Sequence, residues 1–332
     1  MAQKIPVLVT GGAGYIGSHA VYALKDHGHA VAVIDDLSTG VRENLPADVP
    51  LYVGNVGDAA LLARIFKEQG IGAVMHFAGS IVVPESVADP LKYYRNNTLN
   101  SQVLIETCVR EGVKTLLFSS TAAVYGIPEE LPVREDTPTA PINPYGASKL
   151  MTEWVLRDTA AAQDFVYGAL RYFNVAGGDP QGRTGQSTPA ATHLIKVACQ
   201  TALGRRASLD IMGTDYPTPD GTGVRDYIHV SDLAEAHVLA LDYLVREKKS
   251  LVLNCGYGHG FSVREVIKAV EAAAGLTLPV REAPRRAGDP PALTAQSDRI
   301  RGVLGWQPKH DDLGFIVRTA YAWEKRLAER QA

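Results

Sequence analysis

The first half of the chain alternates short apolar runs with stretches whose apolar residues recur every three or four positions. The runs Ile5–Thr10, Ala30–Ile34, Leu51–Val53, Ala73–Phe77, Thr115–Phe118 and Phe165–Leu170 predict six strands. The stretches between them predict helices. One covers Tyr15–His27, with Ile16, Ala20, Ala23 and Leu24 on one face and Gly28 as its stop; the next runs from an N-cap at Asp58 to Gln69, before Gly70. A long helix is expected over Leu91–Arg110, ahead of Gly112, and another from Pro144 to about Gln163. Strands apolar on both faces and separated by helices predict a parallel sheet covered on both sides. Right-handed crossovers make that sheet doubly wound.

The second half is less regular. Gly, Pro, Ser and Thr accumulate from Gly177 to Pro189, which predicts a loop or boundary. Helices are expected over Ala190–Leu203, from Ser231 to about Arg246 and from Asp312 to about Arg326, with a strand over Leu251–Cys255. Ser262 and Glu265 form a capping-box pattern that opens a helix ending near Gly275. The expected fold class is α/β: a doubly wound, Rossmann-type parallel sheet at residues 1–175, followed by a smaller mixed α/β substrate domain at 176–332. Within the latter, about 226–258 is a candidate for packing back on the first domain.

Composition narrows the function classes. A length of 332 residues fits about two domains or one large one, and 46% hydrophobic with 21% charged residues excludes disorder as the main state. With 33 Lys and Arg against 36 Asp and Glu, the net charge of −3 argues against binding nucleic acid or anionic lipid through bulk charge. Cys108, Cys199 and Cys255 lie far apart without metal-ligand spacing, so reduced, buried thiols and no metal site are expected. The longest apolar stretch, Ile71–Val83, is broken by His76 and Ser80 and too short for a bilayer. No basic-then-apolar leader opens the chain, so a soluble, cytoplasmic protein is expected.

Chemistry enters at the first strand–helix junction, Thr10-Gly11-Gly12-Ala13-Gly14-Tyr15-Ile16-Gly17. Glycines there let the backbone approach a pyrophosphate, and the helix N-terminus supplies N–H groups and positive potential. Asp35, 18 residues after Gly17 and at the end of the second strand, is placed to accept the adenosine ribose hydroxyls. It would repel a 2′-phosphate, so NAD is favoured over NADP. The alternative is a tight turn without a ligand.

A second constellation is Tyr145 and Lys149, four residues apart and therefore on one helix face. An ammonium beside a phenol lowers a pKa that is otherwise about 10, making the tyrosine a general base. A surface pair is the alternative. Ser119-Ser120-Thr121, directly after the fifth strand, raises the catalytic reading, because ligands bind at the carboxyl ends of strands in such sheets.

With these motifs, the chain resembles the extended short-chain dehydrogenase/reductase family, and within it the branch that inverts C4 of UDP-sugars. The resemblance extends to His76-Phe77-Ala78-Gly79, Ser119–Gly126, Ser148–Met151, Arg171–Asn174, Gly221–Val230 and Ala283–Arg286. It implies a Rossmann fold and NAD-dependent interconversion of UDP-galactose and UDP-glucose. The sugar would be oxidised at C4, turned as its 4-keto form and reduced again. Tyr145 would be the base, Lys149 would hold the nicotinamide ribose and tune the tyrosine, and Thr121 would bridge Tyr145 to the sugar. NAD would meet Gly11, Gly14, Tyr15, Ile16, Gly17, Asp35, Asn55, Val56, Phe77, Ala78, Gly79, Asn96, Ser119 and Tyr172 as well as Tyr145 and Lys149. The UDP-sugar would meet Thr121, Asn174, His193, Leu194, Arg225, Arg286, Asp289 and Leu293. Arg225 and Arg286 would clamp the diphosphate, a role that suits two guanidinium forks better than lysines; for either alone, a solvated surface charge is the alternative. For His193, helix-face packing is the alternative.

Departures from the family pattern bear on substrate and cofactor. Ala122 and Ala123 stand where related dehydratases carry an Asp-Glu pair, which disfavours dehydration. Ile81 replaces a lysine that would help hold the NAD diphosphate, and Asn55 replaces an aspartate near adenine. Leu293 is intermediate between the tyrosine of hexose-restricted members and the smaller residue of those accepting N-acetylated sugars. Competing readings are a 4-epimerase of UDP-N-acetylhexosamine, UDP-glucuronate or UDP-pentose, and, remotely, a non-catalytic NAD-binding regulator on the same fold. The helices near Leu91–Arg110 and Pro144–Gln163 carry Leu99, Val103, Leu104, Met151, Trp154 and Val155 on more than one face, from which a homodimer is expected; intrachain packing accounts for them equally well.

Overall fold

Four consecutive apolar or hydroxyl residues with no exposed surface, Val7–Thr10, form β1, the centre of a seven-stranded sheet. The computed structural model describes residues 4–188, 192–286 and 289–330. β1 lies between β2 (Val31–Asp35) and β4 (Ala73–His76), with β3 (Leu51–Val53) beyond β2. On the other side follow β5 (Thr115–Thr121), β6 (Val166–Tyr172) and β11 (Leu251–Cys255), all parallel. The strand order turns back on either side of β1, which places a crevice at the carboxyl ends of β1 and β4. Register brings Thr10 level with Ile34 and His76, and Thr121 level with Tyr172. The residues after Thr10, at Asp35, after His76 and at 119–121 therefore share one edge.

Helices cover both faces. α1 (Tyr15–Asp26) packs against α8 (Val230–Glu247) on one side. α2 (Ala59–Gln69) and α5 (Asn100–Arg110) pack together on the other, beside α6 (Pro144–Ala162). Asp58 caps α2 by accepting from Ala60 and Leu61 N–H, and Gly70 ends it in the left-handed region. The expected long helix over Leu91–Arg110 is interrupted: α3 (Val83–Ala88) and α4 (Pro90–Tyr93) lead into a π-helical stretch, Tyr94–Leu99, which then runs into α5. The reason lies in the side chains. Asn97 accepts from Ser80 N–H and donates to the Ser80 carbonyl and Ser148 Oγ, and the widened turn keeps it buried among these partners.

The remaining elements are short strands and helices. β7 (Asn174–Ala176) pairs with β10 (Tyr227–His229), and β8 (Leu209–Met212) with β13 (Val280–Ala283). β9 (Val224–Arg225) lies between β12 (Phe261–Ser262) and β14 (Ala292–Leu293). α7 (Leu194–Ala202) and α11 (Leu313–Glu329) both pack on α9 (Val263–Ala274), whose capping box has both hydrogen bonds expected of Ser262 and Glu265. α10 (Asp298–Leu304) packs on β11. The helix expected from Ala190 starts instead at Leu194, after an extended His193; residues 189–191 lie outside the described ones. The strand expected to end at Phe118 continues to Thr121, because Ser119, Ser120 and Thr121 all find partners inside. Among the described residues no helix is long and apolar enough to cross a membrane. The three cysteine thiols are free and buried.

Burial also sets an acid limit. It pushes the His76 and His229 imidazoles down to about 3 and those of His19 and His237 to about 4. Unfolded histidines take a proton near 6.5, so between that pH and about 4 the unfolded chain binds more protons than the folded one. Stability then falls with pH at about 1.4 kcal/mol per unit for each group. The urea midpoint should drop steeply between pH 7 and pH 5; a flat midpoint over that range would contradict the burial of these rings.

Candidate active site

The loop after β1 is built by close approach. Gly11 adopts φ 65°, and a Cβ on it would lie 2.7 Å from Ala78 N. A Cβ on Gly17 would lie 2.2 Å from the Gly11 carbonyl oxygen. Gly14 is the N-cap of α1 and brings no side-chain acceptor, so the positive end of the helix opens onto this edge. Half-buried Tyr15 and Ile16 start the helix, Ile16 packing against the core, and Tyr15 donates to the Gly177 carbonyl at 2.7 Å. Asp35 is buried; Oδ2 accepts from Ala13 N–H and Oδ1 from Leu37 N–H, each at 2.9 Å. Burial raises its pKa against these hydrogen bonds. Each oxygen keeps a lone pair for a diol.

Asn55 Oδ1 accepts from Gly57 N–H at 2.7 Å and Asn100 Nδ2 at 2.9 Å, while Val56 is buried in the core with Leu8 and Ile34. Phe77 packs 4.8 Å from the His237 ring, and Ala78 donates to Thr10 Oγ1. Asn96 donates to Ser80 Oγ at 2.9 Å and accepts from Asn100. A Cβ on Gly79 would lie 3.6 Å from Lys149 Nζ, which puts that glycine beside the lysine. These residues follow the carboxyl ends of β1 to β4 or, for Asn96, bond to a residue that does. The sequence reading named Thr10 and Ser148 only within longer motifs and did not single out Ser80, Asn97 or Ser101, whose hydroxyl hydrogen-bonds His76 Nε2 at 2.7 Å. The signal was the run of amides and hydroxyls at 96–101 inside a helical pattern.

At β5 the catalytic candidates meet. Tyr145 and Lys149 are buried on α6, one turn apart. The Thr121 hydroxyl lies near enough to Tyr145 to pull its pKa down, and the Tyr145 ring meets Tyr93 edge-on. Lys149 donates to the Ser119 carbonyl at 3.1 Å and sits over the Phe118 ring. The Ser119 hydroxyl hydrogen-bonds Tyr172. Burial lowers Lys149 to about 8 and raises Tyr145, while the Thr121 hydroxyl acts on Tyr145 the other way. Lys149 spends one of its three N–H donors on Ser119, and at Tyr145 burial outweighs the lowering exerted by Thr121.

A cleft next to this edge is lined by Asn174, His193, Leu194 and Tyr227, with Gln186 and Lys196, which the sequence reading had not singled out. Gln186 Nε2 donates to His193 Nδ1 at 2.9 Å, and burial lowers the His193 pKa. The neutral ring then carries its proton on Nε2. Arg225 is half-buried, and burial lowers its pKa while Asp289 raises it and Arg286 lowers it, so the three charges form one group. Arg286 Nε donates to Asp289 Oδ2 at 2.9 Å. Leu293 lies beside Arg225 in the β9–β14 pair and packs into the cluster of Ala122, Leu150 and Phe173.

The residues present fit NAD: an uncapped helix end behind a glycine loop, a buried carboxylate at the end of β2 and a buried lysine on the same edge. Comparison with known proteins agrees. Residues 7–256 match the model of the NAD dependent epimerase/dehydratase family. The UDP-glucose 4-epimerase of Azospirillum brasilense is 63% identical over 97% of this chain and 93% of its own length. The UDP-glucose-4-epimerase of Stenotrophomonas maltophila, solved with bound NAD and formylated UDP-arabinopyranose, superposes with a TM-score of 0.95 at 39% identity, covering 99% of this chain and 100% of that one. The UDP-Glc/GlcNAc 4-epimerase of Campylobacter jejuni gives 0.85 at 48% identity, covering 97% and 99%. By sequence, fold and the site at its sheet edge, the chain belongs to the NAD dependent epimerase/dehydratase family.

Proposed function

We propose that this protein is an isomerase that interconverts UDP-galactose and UDP-glucose by inverting C4. The observation that carries the reading is the buried pair Tyr145 and Lys149, one helical turn apart on α6, with Lys149 bonded to Ser119 at the ligand edge of the sheet. NAD, when bound, takes up the C4 hydride and gives it back. Tyr145 removes the proton of the 4-hydroxyl, with Thr121 donating to the phenolate, and returns it after the sugar has turned. Lys149 holds positive charge on the same helix face. Arg225 and Arg286 grip the diphosphate and Asp289 the ribose, so the nucleotide stays anchored while the hexose rotates. Asn174, His193 and Leu194 line the adjoining cleft. Ala122 and Ala123 offer no acid for eliminating water.

The test is incubation of the purified protein with UDP-galactose, without added NAD, followed at the anomeric proton by NMR. UDP-glucose should appear. Product only after NAD is added would keep the chemistry and show that Ile81, half of whose surface is exposed (49%), leaves the cofactor exchangeable. No product in either case would overturn the reading. Leu293, intermediate in bulk, supports UDP-galactose as the preferred substrate with weak turnover of UDP-N-acetylgalactosamine. A preference for the N-acetyl sugar in the same assay would reverse that order.

The same reading divides the chain into an NAD part, residues 1–175, and a sugar-nucleotide part, 176–332. Residues 226–258 return to the first part, as the packing of α8 on α1 and of β11 on β6 supports. It also takes the protein to be cytoplasmic and a homodimer. Leu91, Leu99 and Trp154 are exposed by 71%, 54% and 45% on neighbouring helical stretches, a face suited to a second copy. Leu104 belongs to the core instead and drops out of that face. Sedimentation should give a dimer, and Trp154→Glu should shift it to monomer; a monomeric wild type would contradict the assignment.

A further inference from the structure

Tyr145, Lys149 and Glu153 recur every fourth residue along α6, so they share one face, and all three are buried. Each meets one of three consecutive residues of β5. Lys149 donates to the Ser119 carbonyl, Glu153 Oε1 accepts from Ser120 Oγ, and the Thr121 hydroxyl acts on Tyr145. Glu153 also takes both arms of Arg171 on β6: Nε to Oε1 at 3.0 Å and Nη2 to Oε2 at 2.6 Å. Arg171 Nη1 donates to Tyr125 OH at 3.0 Å, and Tyr125 donates to Asn254 Oδ1 at 2.7 Å. Asn254 in turn donates to the Val133 carbonyl at 2.9 Å. The backbone of Val133 pairs with Thr294 and Gln296, directly after Leu293.

A buried ion pair is a weak source of stability, because desolvation offsets the attraction and apolar residues of similar volume serve as well. It differs from apolar packing in demanding one geometry. A Leu or Met at these positions would tolerate rotation or sliding of α6; a two-armed carboxylate–guanidinium fork would not. We infer that Glu153 and Arg171, with Ser120, are positioning residues that lock the rotation and register of α6 on β5 and β6, and so fix the Tyr145 hydroxyl against Thr121. The inference rests on the reading of Tyr145 as the base.

The decisive variant is the double replacement Glu153→Met with Arg171→Met, which keeps volume and burial and removes the fork. Per NAD-loaded site, kcat should fall at least tenfold with KM for UDP-galactose within twofold, because the arginines that grip the diphosphate lie on other elements. The phenolate absorbance of Tyr145, read as the difference from Tyr145→Phe in the same background, should shift its midpoint to higher pH. A folded double variant with kcat within twofold of wild type and an unmoved midpoint overturns the inference. If the double variant does not fold, Ser120→Ala decides by the same two readouts, since it leaves the ion pair and removes only the strand tether. A wild type inactive on every UDP-sugar would sink the reading of the reaction, whereas the phenolate midpoint still reports on the positioning pair.

Discussion

Tyr145→Phe is expected to lower kcat for UDP-galactose by about a hundred- to ten-thousandfold, the range attributed to a positioned general base. The phenylalanine ring keeps the edge-on contact with Tyr93 and fills the same buried space. Thr121 Oγ1 still accepts from Ala123 N–H, so no buried hydroxyl is stranded without a partner. The loss of stability is therefore small, about 1 kcal/mol at most, against several kcal/mol of barrier. NAD content and the thermal midpoint should stay close to wild type. The check is kcat by anomeric NMR beside the nucleotide content of the same preparation. Turnover within a few-fold of wild type would remove Tyr145 from the chemistry.

Gly17→Ala is expected to cost the protein its NAD. The added methyl would sit 2.2 Å from the Gly11 carbonyl oxygen and 2.9 Å from Gly12 Cα. Both neighbours are backbone, so no side-chain rotation relieves the contact. Either α1 moves away from the glycine loop or the loop opens, and both separate the N–H groups meant for a pyrophosphate. Overpacking of this kind costs about 1–3 kcal/mol, and the linkage between folding and NAD binding is lost as well. Copurified nucleotide should fall at least tenfold, with a lower thermal midpoint that excess NAD no longer restores. An unchanged nucleotide content would show that the loop does not hold the cofactor.

These two expectations differ in where their support comes from. The glycine loop was legible in the sequence because its requirement is local. A turn from strand to helix without room for a Cβ leaves a spacing that can be read directly, and Asp35 follows from the next strand end. Tyr145 and Lys149 were legible for the same reason, being one turn apart on one helix. Their electrostatics were not. The carbonyl that engages Lys149 belongs to Ser119, thirty residues away, and the burial that raises Tyr145 depends on everything packed around α6. The π-helical stretch at 94–99 was likewise invisible, since its cause is the set of partners Asn97 finds on Ser80 and Ser148.

The sequence by itself determined the alternation of strands and helices, the parallel sheet and the motifs along its carboxyl edge, because hydrophobic period, caps and glycine spacing act over a few residues. Only the tertiary structure decided what lies across from what: Leu293 beside Arg225, Lys149 on the Ser119 carbonyl, and Glu153 in the fork of Arg171. Such contacts join residues far apart in the chain, and their energies depend on burial, which no local pattern of residues encodes.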